Sequence, residues 1–190
     1  MSDIHDPYTL PPDLPVPVDD GAADHLEGMT IPALSLPSTA GAMLDLAVAA
    51  RAALVLYCYP RTGRPGENPP AGWDEIPGAR GCTPQACAFR DHHDELRQLG
   101  ARVLGLSAQP IEEQREFAQR VGLPYPLVSD PELALANALD LPTFTFGSLR
   151  LYRRLTLIAQ GGRVAKVFYP VFPPDRNAAD IAAWLADQRL

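Results

Sequence analysis

The strongest pattern in the chain is the near-continuous apolar run over residues 52–59, Ala52-Ala53-Leu54-Val55-Leu56-Tyr57-Cys58-Tyr59. A run of that length without polar alternation predicts a central strand covered on both faces. Residues 84–99 place Ala88, Phe89 and Leu96 among charges and stop at Gly100, which predicts a helix with a glycine at its C-terminal end. Ala101-Arg102-Val103-Leu104-Gly105-Leu106-Ser107 then predicts a second buried strand, reached by a helical crossover and therefore parallel to the first. Residues 110–121 are amphipathic and open on Pro110, a helix start. Residues 126–128 predict a short strand and residues 131–139 a further helix. After Pro142, residues 151–159 and 164–168 flank Gln160-Gly161-Gly162 and predict an antiparallel hairpin, and residues 175–188 a closing helix. Upstream, residues 33–36 and 43–46 flank the turn-like Ser38-Thr39-Ala40-Gly41 and predict a small hairpin.

Parallel strands joined through helices, followed by an antiparallel hairpin and a last helix, predict an α/β fold. The arrangement is a thioredoxin-like three-layer sandwich with a mixed central sheet. Residues 1–28, rich in Pro, Asp and Gly and without periodicity, read as an N-terminal arm, and residues 29–190 as the domain.

Composition narrows the function classes. The 190 residues are 46% hydrophobic and 21% charged, enough for a core without metals or disulfides. The 21 prolines concentrate in residues 7–37 and 60–84. A formal net charge of -7 argues against nucleic acid or an anionic membrane as partner. Met1-Ser2-Asp3-Ile4-His5-Asp6 has neither the basic region nor the apolar core of a signal peptide, so a cytoplasmic protein is expected.

The three cysteines, Cys58, Cys82 and Cys87, are too few for a disulfide scaffold and odd in number. Cys58, inside the strand run, is expected in the core. Cys82 and Cys87 stand in Gly81-Cys82-Thr83-Pro84-Gln85-Ala86-Cys87, between a Gly/Pro-rich loop and the start of a helix. Positive potential makes a thiol a nucleophile, and a helix N-terminus supplies it. Arg80, Arg90 and Arg154 are candidate cations. On spacing alone, a nucleophilic Cys82 and a pair of packed cysteines are equally good readings. In one regular helix their Cα atoms would lie roughly 8 to 9 Å apart, beyond the limit of about 7 Å for a disulfide, so a bond between them requires the first turn to unwind. A zinc site from Cys82, Cys87, His92 and His93 is disfavoured, because Cys82 and His93 share a helix face but lie about 16 Å apart along it. No metal and no cofactor are expected.

At these residues the chain resembles the peroxiredoxins, in the bacterioferritin-comigratory or Q-type branch. The likeness runs through Leu54-Val55-Leu56-Tyr57-Cys58-Tyr59-Pro60, the Gly81 to Asp91 stretch, Val103-Leu104-Gly105-Leu106-Ser107, Pro126-Leu127-Val128-Ser129-Asp130-Pro131 and Arg154-Leu155-Thr156-Leu157-Ile158. The resemblance implies a thiol peroxidase acting on hydrogen peroxide and organic hydroperoxides. Cys82 would be the peroxidatic cysteine, Cys87 the resolving cysteine of an intramolecular disulfide, and a thioredoxin-like protein the reductant. Arg154 stands where the family has an arginine beside the thiolate; members of this branch are often monomers, and the N-terminal arm is a candidate to mediate a homodimer. The alternative for Arg154 is a surface strand charge.

The sequence departs from the family in the loop. Pro60 is separated from Cys82 by an insertion, residues 61–80, and Ala79 stands three residues before Cys82 where the family has threonine. Thr62 is the favoured replacement for that hydroxyl, with Thr83 the other candidate. The insertion is too proline-rich for a new helix, and reads either as a flap over the pocket with Trp73 packed down or as a surface loop anchored by Trp73. Two other functions compete: a thioredoxin-like disulfide oxidoreductase using Cys82 and Cys87, against which the absence of Cys-x2-Cys counts, and a redox-sensing interaction protein.

Overall fold

The computed structural model describes residues 6–188. A five-stranded mixed sheet forms its centre. β3 (Leu54–Cys58) lies between β4 (Arg102–Ser107), which it pairs in parallel, and β8 (Leu155–Gln160), which it pairs antiparallel. β5 (Leu127–Ser129) extends the parallel side and β9 (Arg163–Phe168) the antiparallel side. The mixed sheet follows from the connections: the helical stretch over residues 82–98 crosses over between β3 and β4, whereas Gly161 and Gly162, both at positive φ, turn β8 directly into β9. β1 (Ser35–Pro37) and β2 (Met43–Asp45) form the small N-terminal hairpin.

All five side chains of β3 are buried, and they alternate between two cores. Leu54, Leu56 and Cys58 face a core shared with α1 (Leu46–Ala49) and α5 (Ala134–Leu139); Ala23 and Leu26, from the proline-rich N-terminal stretch, pack there too. Val55, Tyr57 and Tyr59 face a second core built with α2 (Cys82–Asp91), α3 (His93–Gln98), α4 (Ile111–Val121) and α6 (Asn177–Asp187). Burying an apolar side chain in such a core is worth about 1.5 to 3 kcal/mol, which is why an unbroken apolar run belongs at the centre of the sheet. The two faces also part the thiols: Cys58 lies on one side of the sheet, Cys82 on the other.

Three elements differ from the sequence expectation. The single helix over residues 84–99 begins two residues earlier and is interrupted at His92, which leaves helical geometry with ψ 3° while its ring bonds Glu95 at 2.8 Å. Residues 151–159 are not one strand. β7 (Leu149–Tyr152) pairs with β6 (Thr143–Phe146) in a separate hairpin, and the chain breaks at Arg153-Arg154 before β8 joins the main sheet. Both sides of the break are apolar, so the pattern did not mark it. The helix expected at residues 131–139 starts only at Ala134, because Leu133 adopts φ 54° and the helix is capped from a distance by Asp130.

That cap ties the parallel edge to the hairpin. The buried Asp130 carboxylate accepts from the backbone N–H groups of Ala134 at 2.8 Å and Leu135 at 2.9 Å, and from the Tyr152 hydroxyl at 2.5 Å. Removing it would leave these donors, of which Leu135 N–H and the Tyr152 hydroxyl are buried, without their acceptor, at about 1 to 3 kcal/mol for a buried group. Asp130→Ala should therefore lose about 2 to 4 kcal/mol of unfolding free energy in urea, and a loss below about 0.5 kcal/mol would show the carboxylate to be dispensable.

Candidate active site

β3 and β4 end side by side, and the segments leaving their carboxyl ends build the site. After Tyr59-Pro60 the 61–80 insertion departs and returns to Gly81, the residue before α2. Gly81 adopts φ 105°, and a Cβ there would sit 2.4 Å from Pro174 Cγ and 2.8 Å from Leu10 Cδ2, so only glycine fits. Cys82 is the first residue of α2. Its backbone N–H and that of Thr83 have no acceptor within the helix, while Pro84, which has no N–H, costs the first turn nothing.

Cys82 is 4% exposed, and its sulfur accepts a hydrogen bond from Arg154 Nη2 at 3.2 Å. The thiol also lies 3.7 Å from the Ala79 carbonyl oxygen. Arg154 is no surface charge: it is 3% exposed, turned inward from the break between β7 and β8. Its Nε donates to Gly78 O at 3.3 Å, its Nη2 to Ala79 O at 3.2 Å and Arg80 O at 3.1 Å, and its Nη1 to Gln85 Oε1. Gln85 is itself held, donating to Asn177 Oδ1 at 3.0 Å, which also accepts from Thr156 Oγ1 at 2.7 Å. Among these described partners of the guanidinium, Cys82 Sγ is the one group able to take a negative charge.

A cavity of about 390 Å³ opens over Cys82, more than ten times the roughly 30 Å³ that a water occupies. Thr62 and Thr83 line it together with Pro7, Arg61, Trp73 and Arg120. Thr62 is buried and sits beside the cysteine's cavity, yet its hydroxyl donates to Gln109 Oε1 at 3.0 Å, and its backbone N–H donates to the same oxygen at 2.8 Å. Gln109, just past the end of β4, thus locks the start of the insertion. Thr83 is buried on the first turn of α2.

Cys87 lies on the same uninterrupted helix as Cys82, half-buried, and both thiols are free. Arg90 is not near Cys82's guanidinium partner: it pairs with Asp91 at 2.9 Å and donates to Val121 O at 2.9 Å, on the Cys87 side. Arg80 reaches the cavity wall but spends its Nη1 on Asp74, at 2.7 and 2.8 Å. Cys58 is fully buried, and its thiol is pushed far up by burial and by the neighbouring Asp130 charge. The insertion contains one 3-10 turn, Trp73–Glu75, and Trp73 both lines the cavity and packs against Phe146, 5.2 Å edge-on, and Phe144. The flap and the anchored loop are therefore one structure.

Gln85, Gln109 and Asn177 were not singled out from sequence. Gln85 carried a signal, a polar residue three positions after Cys82 and so on its helix face. Gln109 and Asn177 carried none, since their roles depend on contacts 47 and 92 residues away along the chain.

A model of the Redoxin family matches residues 26–185. A chloroplastic peroxiredoxin Q from Suaeda salsa is 30% identical over 159 residues, covering 84% of this chain and 67% of that protein. The chain thus spans about two thirds of that relative's length. Among solved structures, peroxidoxin BcpB from Mycobacterium tuberculosis superposes with a TM-score of 0.70 at 26% identity, covering 87% of this chain and 100% of that one. Peroxiredoxin Q from Xanthomonas campestris shares the fold with a TM-score of 0.66 at 24% identity, over 94% of this chain and 99% of that one.

The surroundings of Cys87 set its pH behaviour. Burial, which penalises the charged thiolate, raises its pKa, and Arg90 only partly offsets this. The thiolate fraction at neutral pH is therefore below that of a free thiol. Alkylation of Cys87 by iodoacetamide, followed by peptide mass spectrometry, should be slow at pH 7 and rise through a midpoint above the ordinary value of about 8.5. A midpoint below that value would show the helix to be open around Cys87.

Proposed function

The chain belongs to the Redoxin family, in its peroxiredoxin Q branch, and from that premise we propose that this thiol peroxidase uses Cys82 as peroxidatic cysteine and Cys87 as resolving cysteine. The observation that carries the reading is the buried Arg154 guanidinium donating to Cys82 Sγ at 3.2 Å on the wall of the cavity. Hydrogen peroxide and organic hydroperoxides are the substrates, and the cavity is large enough for the latter.

The Cys82 thiolate attacks one peroxide oxygen. The S–O bond forms as the O–O bond breaks, the leaving oxygen takes a proton and departs as water or an alcohol, and the sulfur is left as a sulfenic acid, two electrons more oxidised. Arg154 faces both the thiolate and the oxygen on which charge develops, which favours the transition state over the ground state. Thr62 offers its hydroxyl oxygen to the incoming peroxide from the cavity wall. Cys87 then attacks the sulfenic sulfur, its proton leaving with the hydroxyl as water, and a disulfide results. A thioredoxin-like dithiol reduces that disulfide by two exchange steps and supplies the two electrons of the cycle.

Because both cysteines belong to one helix in the reduced form, the disulfide requires α2 to unwind over its first turn. Hydrogen exchange should show residues 82–90 losing protection on oxidation.

Reduced protein mixed with hydrogen peroxide in a stopped-flow instrument should be oxidised orders of magnitude faster than a free thiol, and Cys82→Ser should abolish the reaction. A wild-type rate no faster than that of a free thiol would falsify the assignment. In Cys87→Ser the first oxidation should persist without an intramolecular disulfide, and a disulfide mapped by mass spectrometry to other cysteines would displace Cys87 from its role.

Thr62→Val tests the hydroxyl separately. Loss of one hydrogen bond worth about 1.4 kcal/mol in the transition state slows oxidation about tenfold. An unchanged rate would leave Thr83, or no hydroxyl at all, in that place.

A further inference from the structure

The insertion has a part in the site beyond walling the cavity. Its last three residues, Gly78, Ala79 and Arg80, each present a backbone carbonyl to Arg154, at 3.3, 3.2 and 3.1 Å. These oxygens fix the plane of the guanidinium whose Nη2 also reaches Cys82 Sγ. Loop carbonyls hold such positions only when the loop itself is held, and two neighbouring side chains of a single 3-10 turn hold this one.

Trp73 docks the turn on the β6–β7 hairpin. It is 5% exposed and forms a small core of its own with Ala79 and Leu151, flanked by Phe144 and Phe146. Ala79, whose carbonyl receives Arg154, is thus packed directly in the Trp73 cluster. Asp74, next in sequence, accepts from Arg80 Nη1 through both carboxylate oxygens, at 2.7 and 2.8 Å. Arg80 is the residue whose carbonyl completes the set and which leads into Gly81-Cys82. The hairpin that receives Trp73 ends at Tyr152, two residues before Arg154. Trp73 therefore ties the insertion to the chain that delivers the arginine.

We propose that Trp73 and Asp74 are positioning residues for Arg154: the insertion is a clamp that sets the guanidinium against Cys82 Sγ. This deepens the peroxidase reading and rests on it. Ala79 has no hydroxyl to offer the sulfur, and its backbone carbonyl instead orients the cation that does touch it. A displacement of the order of 1 Å at a reacting group can cost about 100-fold in rate, so loosening the clamp is visible in kinetics.

The test is a double-mutant cycle on the second-order rate constant for Cys82 oxidation by hydrogen peroxide, measured by competition with a haem peroxidase. That assay does not use tryptophan fluorescence, so loss of Trp73 does not remove the signal. Trp73→Ala and Asp74→Ala should each slow oxidation by about tenfold or more, and Trp73→Phe should restore most of the rate. In the Arg154→Ala background neither change should slow the reaction further, because both act through Arg154. If the variants only lower the melting temperature while wild-type rates remain, or if their effects add fully to Arg154→Ala, the clamp is refuted. Should Trp73→Ala not fold, the Asp74→Ala arm decides alone. A wild-type protein no faster than a free thiol sinks the peroxidase reading; a fast wild type with equally fast variants sinks only the clamp.

Discussion

A buried guanidinium is costly unless its donors and its charge are met, and Arg154 is the place where this protein meets that cost. Three backbone carbonyls and the Gln85 amide oxygen satisfy its donors, but all four are neutral. The remaining partner is Cys82 Sγ. A thiolate at Cys82, as the proposed mechanism uses it, would complete this otherwise uncharged set of partners, and that links folding to the proposed chemistry. The polar chain continues through Gln85 to Asn177 and Thr156, so α2, α6 and β8 share in orienting the same cation.

Placing that network at the carboxyl ends of β3 and β4 follows from the sheet. The segments leaving these parallel neighbours start side by side and lead to helices on the same face of the sheet. Here they are the 61–80 insertion and the turn carrying Gln109, and both line the cavity. Gln109 accepts twice from Thr62 and donates to Glu113 at 2.9 Å, which fixes where the insertion begins. Asp74 and Trp73 fix where it ends. A loop with so many prolines has little entropy to lose and few backbone donors to satisfy, which suits a rigid wall better than a mobile lid.

Residues whose roles depend on local spacing were legible in the sequence. The apolar run of β3, the βαβ crossover, the Gly-Gly hairpin and the two cysteines at a helix start all follow from periodicity and turn chemistry over a few residues. The strand break at Arg153-Arg154 was not legible, because Leu151, Tyr152 and Leu155 are apolar on either side and only the docking of β7 on β6 tells them apart. Nor were the carbonyls of Gly78, Ala79 and Arg80, since backbone acceptors have no letter in the sequence. Thr62 was found by its residue type and does line the cavity, yet its bond to Gln109 depends on a partner 47 residues away. Ala79 drew attention for the side chain it lacks, whereas its contribution to the site is made by its backbone.

On the proposed assignment, the same contacts that ready Cys82 for peroxide also oppose its resolution by Cys87. Cys87 lies about 7.5 Å further along the axis of an intact helix, and Cys82 reaches it only by leaving the Arg154 donor and the first turn of α2. Pro174 and Leu10 pack closely against Gly81, the residue from which α2 starts, so the backbone there has little room to move. Cys58 offers no shorter route, because the sheet stands between it and Cys82 and burial keeps its thiol protonated. Conversion to a sulfenic acid changes this balance: the sulfur loses its negative charge, and the attraction between it and Arg154 falls to that of an ordinary hydrogen bond. Oxidation therefore weakens the contact that holds the first turn of α2, and it does so at the step after which the turn has to open.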